Sequence, residues 1–440
     1  MQQQLLRGSI LSFSAAPQKA HLQQTPAELS PGTTFIDDGV VVLKAGHIEF
    51  VGSVDAFTAA GGNIEQCEDV RPGLLVPGFI DNHIHYSQMS IIASYGTQLL
   101  DWLERYAFPA ELAFSDPAHA EEQAEQFLDW LFRFGTTSAL TFTTTHSCAS
   151  EALFAAAERR NVRLIAGKVL MDRNGPTDLL DKDTGQAASQ ALIERWHGTG
   201  RLNYAITPRF AITCSDEQLR QASELLDRYP GLYLHTHLAE HPDEVRSTLE
   251  LFPEAQDYVD VYDRFDMLTP RSFFAHGIHL SDRELTRLSE TGASIVFCPT
   301  SNLFLGSGLL KLDRLADFGV KLAVGSDVGG GTAFSMLTTL ADGYKVSQLN
   351  NASWHPLQAL DAITRGNAQA LGMADRIGQL APGFEADLVL LRPRGDSLLA
   401  HRLEQATTLT ERLFAYIFLG GDDAIARTYV NGQLQYQRAA

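Results

Sequence analysis

The sequence predicts an α/β protein, a (β/α)8 barrel of TIM type with a small β-sandwich domain built from both termini. Eight apolar segments of strand length alternate with helix-like stretches through the middle of the chain, and both ends are rich in short strands. No G-x-G-x-x-G follows an early strand, as a doubly wound nucleotide fold would require. The expected division is residues 1–73 and 379–440 for the composite β domain and residues 74–378 for the barrel. The 440 residues suffice for a barrel of roughly 250 residues plus a smaller domain.

In order along the chain, residues 39–43 and 47–52 read as a hairpin around Lys44, Ala45 and Gly46. The barrel strands are expected at 74–80, 138–142, 163–171, 202–206, 232–237, 272–276, 293–297 and 320–324. Helices are expected at 117–134, 151–160, 217–228 and 281–291, among others. The connection over residues 86–115 is the longest on the strand-to-helix side. It carries Tyr95, Trp102, Tyr106 and Phe108, as a segment shaping a pocket or a subunit contact would. Residues 386–391 read as a strand, and Asn431-Gly432 as the turn of a last hairpin. Termini commonly lie close together, which favours one domain built from both ends.

Composition excludes several classes. A net charge of −19 argues against nucleic acid, whose phosphates need clustered Lys and Arg. No apolar run approaches membrane-spanning length, and the start, Met1 to Arg7, lacks the features of a signal peptide. The four cysteines, Cys67, Cys148, Cys214 and Cys298, form no C-x-x-C pair, which suits a reducing cytoplasm and excludes a cysteine-built zinc site.

The chemistry lies at the strand ends. Pro77-Gly78-Phe79-Ile80-Asp81-Asn82-His83-Ile84-His85 is an apolar run ending in two histidines one residue apart, which share a strand face. Later segments end in Leu234-His235-Thr236-His237-Leu238-Ala239-Glu240, in Ala275-His276-Gly277 and in Val324-Gly325-Ser326-Asp327. In a barrel the C-terminal strand ends converge on one mouth. Three histidines and an aspartate there suit zinc or ferrous iron, which brings the pKa of a bound water to about 7. Asp327 is placed to take the water's proton and Glu240 to protonate a leaving group or ring nitrogen. His235 competes with His237, since both face one way, with His237 favoured as nearer the strand end. Spacing leaves open whether His276 ligates the metal or bonds the water. His146, His241 and His279 read as loop residues. Gly329-Gly330-Gly331 lacks the Lys of a phosphate loop.

Together P-G-F-I-D-N-H-I-H, H-L-A-E, A-H-G and G-S-D resemble the amidohydrolase superfamily. Within it the chain is most similar to the guanine deaminases, on His83 to Gln88, Leu99 to Leu103, Phe108 to Glu111, Thr207-Pro208-Arg209-Phe210, Cys298 to Leu303 and Gly325 to Gly331. The resemblance implies His83, His85, His237 and Asp327 as ligands of one divalent metal per subunit, Zn2+ first and Fe2+ second. It implies Glu240 as proton shuttle and His276 beside the metal-bound water, with Asp327 completing the catalytic set. Gln88, Arg209 and Phe210 would contact the substrate, with His85, His237, Glu240 and Asp327 within its reach. The implied reaction converts guanine and water to xanthine and ammonia through a metal-bound hydroxide, in a cytoplasmic homodimer without nucleic-acid or membrane partners. No Lys stands on the fourth strand, so a mononuclear site is expected, with Lys168 structural. The alternative is a same-barrel aminohydrolase acting on a pterin, a triazine or another purine. A scaffold barrel should have lost ligands, and the separate zinc deaminase fold needs P-C-x-x-C with H-x-E, which Cys298-Pro299 lacks.

Overall fold

Two sheets share the strands of the computed structural model, which describes residues 3–18, 30–96, 98–181 and 185–439. Met1 and Gln2, where the N-terminal stretch read above begins, lie outside these residues. From the N-terminal end come β1 (Gln4–Phe13), β2 (Thr33–Lys44), β3 (His47–Ser53), β4 (Glu68–Pro77) and β5 (Phe79–His85). The middle supplies β6 (Thr136–Phe142), β7 (Arg163–Gly167), β8 (Val169–Leu170), β9 (Leu202–Pro208) and β10 (Tyr233–Leu238). Then follow β11 (Ser272–His276), β12 (Ser294–Phe297), β13 (Lys321–Val324), β14 (Leu388–Leu391), β15 (Ile425–Val430) and β16 (Gln433–Gln437).

The barrel sheet runs β5-β6-β7-β9-β10-β11-β12-β13, with every ladder parallel and β8 added beside β9. A helix follows each turn of the winding because the sequence alternates buried strand with amphipathic stretch. Pro117–Arg133 shows the pattern: Asp116 caps its start, and Ala120, Ala124, Phe127, Leu128 and Leu131 form the buried stripe. Ser215 and Ser281 cap Asp216–Arg228 and Asp282–Thr291 in the same way.

Among the described residues no ladder joins β13 back to β5, and side chains close that seam. The Asn367 amide donates to the carbonyls of Ile80 (2.7 Å) and Val324 (2.8 Å) and accepts from the Val324 N–H (2.8 Å). Asp81, fully buried, accepts from the Ser326 N–H and hydroxyl and from the His83 N–H. The Asp327 N–H reaches the His83 carbonyl at 2.8 Å. A Cβ on Gly325 would lie 2.7 Å from the Cβ of His83, so this approach requires glycine.

Two of the expected strand segments are broken in the structure, and most others differ by one or two residues at an end. The run 74–80 is divided: its first four residues end β4, which pairs with β1 and β14 in the other sheet, and the first barrel strand is Phe79–His85. Both parts are fully buried, so hydrophobicity carries no mark of the switch. The chain changes sheets at Gly78, where a Cβ would lie 2.1 Å from the Thr137 hydroxyl. The third expected strand breaks at Lys168, whose N–H turns to the Tyr204 hydroxyl at 3.1 Å.

The termini build the second sheet, ordered β16-β15-β14-β4-β1-β2-β3. Leu6, Ile10, Val41, Leu43 and Ile48 from one half share a core with Leu388, Leu390, Ala426 and Tyr429 from the other, so the sheet doubles over as a sandwich. The Asn431-Gly432 turn has both residues at positive φ, as a tight hairpin requires. Among the described residues no helix is long and apolar enough to cross a membrane.

Candidate active site

Four strand ends deliver the polar residues to the barrel mouth. His83 and His85 lie on one face of β5, their ring centroids 5.0 Å apart. His237 comes from β10, His276 ends β11 and Asp327 follows β13. His276 (φ 72°), Asp327 (φ 52°) and Ala239 (φ 47°) adopt left-handed backbone without being glycine. Such residues cost on the order of 1–3 kcal/mol each and persist where their surroundings fix them. Here the strain turns each chain sharply at the mouth.

One ligand atom from each of His83, His85, His237 and Asp327 falls in a group no wider than 4.8 Å. Nε2 of His83 and of His85 lie 3.2 and 3.1 Å from Oδ1 of Asp327, and Nε2 of His85 and His237 face each other at 3.3 Å. The His237 Nδ1–H donates to the Arg209 carbonyl at 2.6 Å, which leaves its Nε2 lone pair bare toward the centre. His83 Nδ1 meets His235 Nε2 at 2.7 Å, and His83 Nε2 is buried without a hydrogen-bond partner. Burial lowers the pKa of His83, of His85 to about 4 and of His237, so all three stay neutral near pH 7. Asp327 is buried with them and turns its Oδ1 toward both His83 and His85. Three bare imidazole nitrogens and a carboxylate, converging while buried, fit one divalent metal ion. Strand β9 offers no lysine to bridge a second ion. Lys168 is engaged by Asp181 at 2.5 Å and by the Val169 carbonyl.

Glu240 stands beside this group. Its Oε2 lies 3.3 Å from His276 Nε2, and its Oε1 accepts from the Ser307 hydroxyl at 2.8 Å. Burial, reinforced by the charge of Asp327, pushes Glu240 up to about 8. It therefore holds a proton at neutral pH. Behind it, Glu244 accepts from the Glu240 N–H (2.7 Å) and the Tyr258 hydroxyl (2.7 Å). His276 donates Nδ1–H to Asn302 Oδ1 at 2.9 Å, which directs its Nε2 at the mouth.

A cavity touches this machinery at His85, His237, Glu240, His276 and Asp327. Gln88, Trp102, Arg209 and Phe210 line it as well. The connection after β5 is helical rather than a plain loop, with turns at Tyr86–Ile91, Leu99–Trp102, Leu103–Ala107 and Phe108–Leu112. It packs Ile91, Trp102, Leu103 and Phe108 against Phe210 and Met171. Gln88 and Arg209 both bond to Glu111.

Residues 74–434 match the amidohydrolase family. The chain belongs to that family. A guanine deaminase of Escherichia coli (strain K12) is 44% identical over 414 residues, 94% of each chain. The solved structure of E. coli guanine deaminase superposes with a TM-score of 0.93 at 41% identity, covering all of both chains. A guanine deaminase from C. acetobutylicum, solved with guanine in its active site, gives 0.87 at 26% identity over 99% of this chain and all of its own.

The expected site residues of this amidohydrolase thus share one cavity or its rim. His235 lies fully buried behind His83, out of the ligand group. His241 caps the helix Pro242–Leu251 and His146 precedes Ser147–Arg159. His279, read as a loop residue, bonds the Ser307 carbonyl at 2.8 Å and so braces the loop beside Glu240. Glu111, Glu244, Asn302 and Ser307 join the site without being among the residues expected there. Glu111 and Asn302 stood inside the segments that carried the resemblance. Glu244, as the third helical residue after His241, had a capping-box signal. Ser307 had none.

Proposed function

We propose that this amidohydrolase is a guanine aminohydrolase, in which water replaces the 2-amino group of guanine to give xanthine and ammonia. The observation that carries this reading is the single cavity lined both by the His85, His237 and Asp327 cluster with Glu240 and by Gln88, Arg209 and Phe210. The related guanine deaminases support it.

His83, His85, His237 and Asp327 would hold one Zn2+ per subunit, with Fe2+ the other ion this donor set accepts. When bound, the ion lowers the pKa of water enough to supply a nucleophile at neutral pH. Asp327 takes the first proton as the water oxygen bonds to C2, with His276 hydrogen-bonding that water. Glu240, protonated, donates to N3 of the ring. Asp327 then passes its proton to the amino group, the C2–N bond breaks and ammonia leaves. The proton of the new hydroxyl returns to Glu240 as C2=O forms, so xanthine keeps the N3 hydrogen. Phe210 stacks on the purine, Arg209 donates to the C6 carbonyl and Gln88 bonds the ring edge.

We infer a cytoplasmic homodimer acting on a free base. The free thiols of Cys67, Cys148, Cys214 and Cys298 support a reducing compartment. The test is an ammonia-release assay over purines, pterins and triazines. Guanine should exceed each other ring by at least about a hundredfold in kcat/KM. Equal turnover across the panel would overturn the substrate.

A further inference from the structure

Between the two polar side chains assigned to the purine lies a carboxylate with no task in the chemistry. Glu111, on the short helix Phe108–Leu112, is fully buried. Its Oε1 accepts from Gln88 Nε2 at 2.9 Å and from Arg209 Nη1 at 2.8 Å, and its Oε2 accepts from the same Nη1 at 2.7 Å. Gln88 follows the first barrel strand, β5, and Arg209 the fourth, β9, and Glu111 is where they are tied together.

We propose that Glu111 is the positioning residue that sets substrate specificity, by fixing the polarity with which Gln88 and Arg209 meet the ring. The inference rests on the guanine reading above and deepens it. An ionised carboxylate only accepts hydrogen bonds, so Gln88 must turn its amide nitrogen toward Glu111. The amide oxygen is thereby turned the other way, against Gly329, where a Cβ would lie 2.1 Å from it. An unclamped glutamine could sit either way round and would exchange acceptor for donor on flipping. Arg209 gives Nη1 to Glu111 and keeps Nε and Nη2 as donors, while its guanidinium rests 5.1 Å above the Phe108 ring.

Gln88 and Arg209 both line the pocket, and in these orientations Gln88 has its acceptor and Arg209 its remaining donors free for a ligand there. That pairing is complementary to a lactam, whose ring N–H donates and whose carbonyl accepts. A ring without the lactam leaves these buried groups unpaired, a mismatch worth far more discrimination than lost apolar contact. The Glu111 charge also balances that of Arg209, so a neutral ring enters without meeting an uncompensated buried cation.

The test compares guanine with 2-aminopurine, which keeps the 2-amino group and lacks the lactam. Glu111→Gln should raise KM for guanine at least about tenfold, more than it lowers kcat, and cut the guanine to 2-aminopurine ratio of kcat/KM at least about tenfold. Metal content should stay unchanged. Glu111→Asp, which keeps the carboxylate, should recover part of the ratio. In a Gln88→Ala, Arg209→Ala background Glu111→Gln should add less than about twofold, because it acts through those two residues. A ratio within about twofold of the unsubstituted chain in Glu111→Gln would overturn the inference alone. Where Glu111→Gln does not fold, the same ratio in Glu111→Asp decides, an unchanged value overturning it. An unsubstituted chain that does not deaminate guanine would overturn the functional reading and this inference with it.

Discussion

The hydroxyl of Ser307 donates a 2.8 Å hydrogen bond to Oε1 of Glu240, from a loop otherwise remote in sequence. Glu240 is held at three points: the Ser307 hydroxyl, its own N–H on Glu244, and His276 at 3.3 Å. A proton donor fixed this way needs no reorientation when the ring arrives. Glu240→Gln should lower kcat about 10²–10⁴-fold with metal content unchanged, the range of a lost general acid. Ser307→Ala keeps the carboxyl but frees it, and about a tenfold loss is expected. Steady-state assays beside elemental analysis of the purified variants check both. Full activity in Glu240→Gln would remove it from the mechanism.

Metal removal should be reversible and visible in stability as well as rate. The ligand group is preformed, with His237 fixed by the Arg209 carbonyl and His83 by His235. A chelator should therefore abolish turnover without unfolding the chain, and added Zn2+ should restore it. Bound ion should also raise the unfolding free energy by about 2.7 kcal/mol when free ion stands at 100 times its Kd. His83→Ala should lose both responses. Thermal unfolding of apo and reloaded protein measures the shift, and a chelated enzyme of undiminished activity would exclude the metal.

Much of this was legible in the residues. Strand periodicity and the polar residues at strand ends located the mouth, because in a parallel barrel all C-terminal ends point one way. The H-x-H spacing paired His83 with His85 for the same kind of reason. The sheet switch at Gly78 was not legible, since residues on both sides are equally apolar and only the crowding of Thr137 marks it. Nor was the path of Ser307, which approaches Glu240 through contacts 67 residues apart in the chain. Local pattern reports which side chains share a face and is silent about which loops meet above it.

Closure of the barrel should depend on Asn367. Its amide replaces the missing ladder between β5 and β13, serving two carbonyls and one N–H. Asn367→Ala leaves those buried backbone groups unpaired and opens a small void. A loss of about 3 kcal/mol or more is expected, from an unmet desolvation cost of about 1–3 kcal/mol per group. Asn367→Asp keeps the acceptor and loses the donors, and it buries a charge, so it should be no better. Denaturant unfolding midpoints settle the matter, and an Ala variant within about 0.5 kcal/mol of the parent would show the seam to be held elsewhere.

Glu244 should make the metal-free protein less stable as pH rises. Burial lifts its carboxyl from an ordinary 4.5 to about 7. The folded chain then keeps this proton across a window in which the unfolded chain has released it. Stability from this group is complete below about 4.5 and is lost as pH climbs through about 7, because folding there must either bind a proton or bury a charge. The loss by pH 8 is on the order of 3 kcal/mol. Asp81, raised to about 7, and Glu240, raised to about 8, act in the same direction. Glu244→Gln removes one of the three titrations while retaining an oxygen that can accept the Glu240 N–H. Urea unfolding of the apo protein at about pH 5 and about pH 8 should therefore show a smaller difference in the variant than in the parent, by about that amount. An unchanged difference would mean that Glu244 titrates alike in the folded and unfolded chain, and that its place under Glu240 costs nothing in charge.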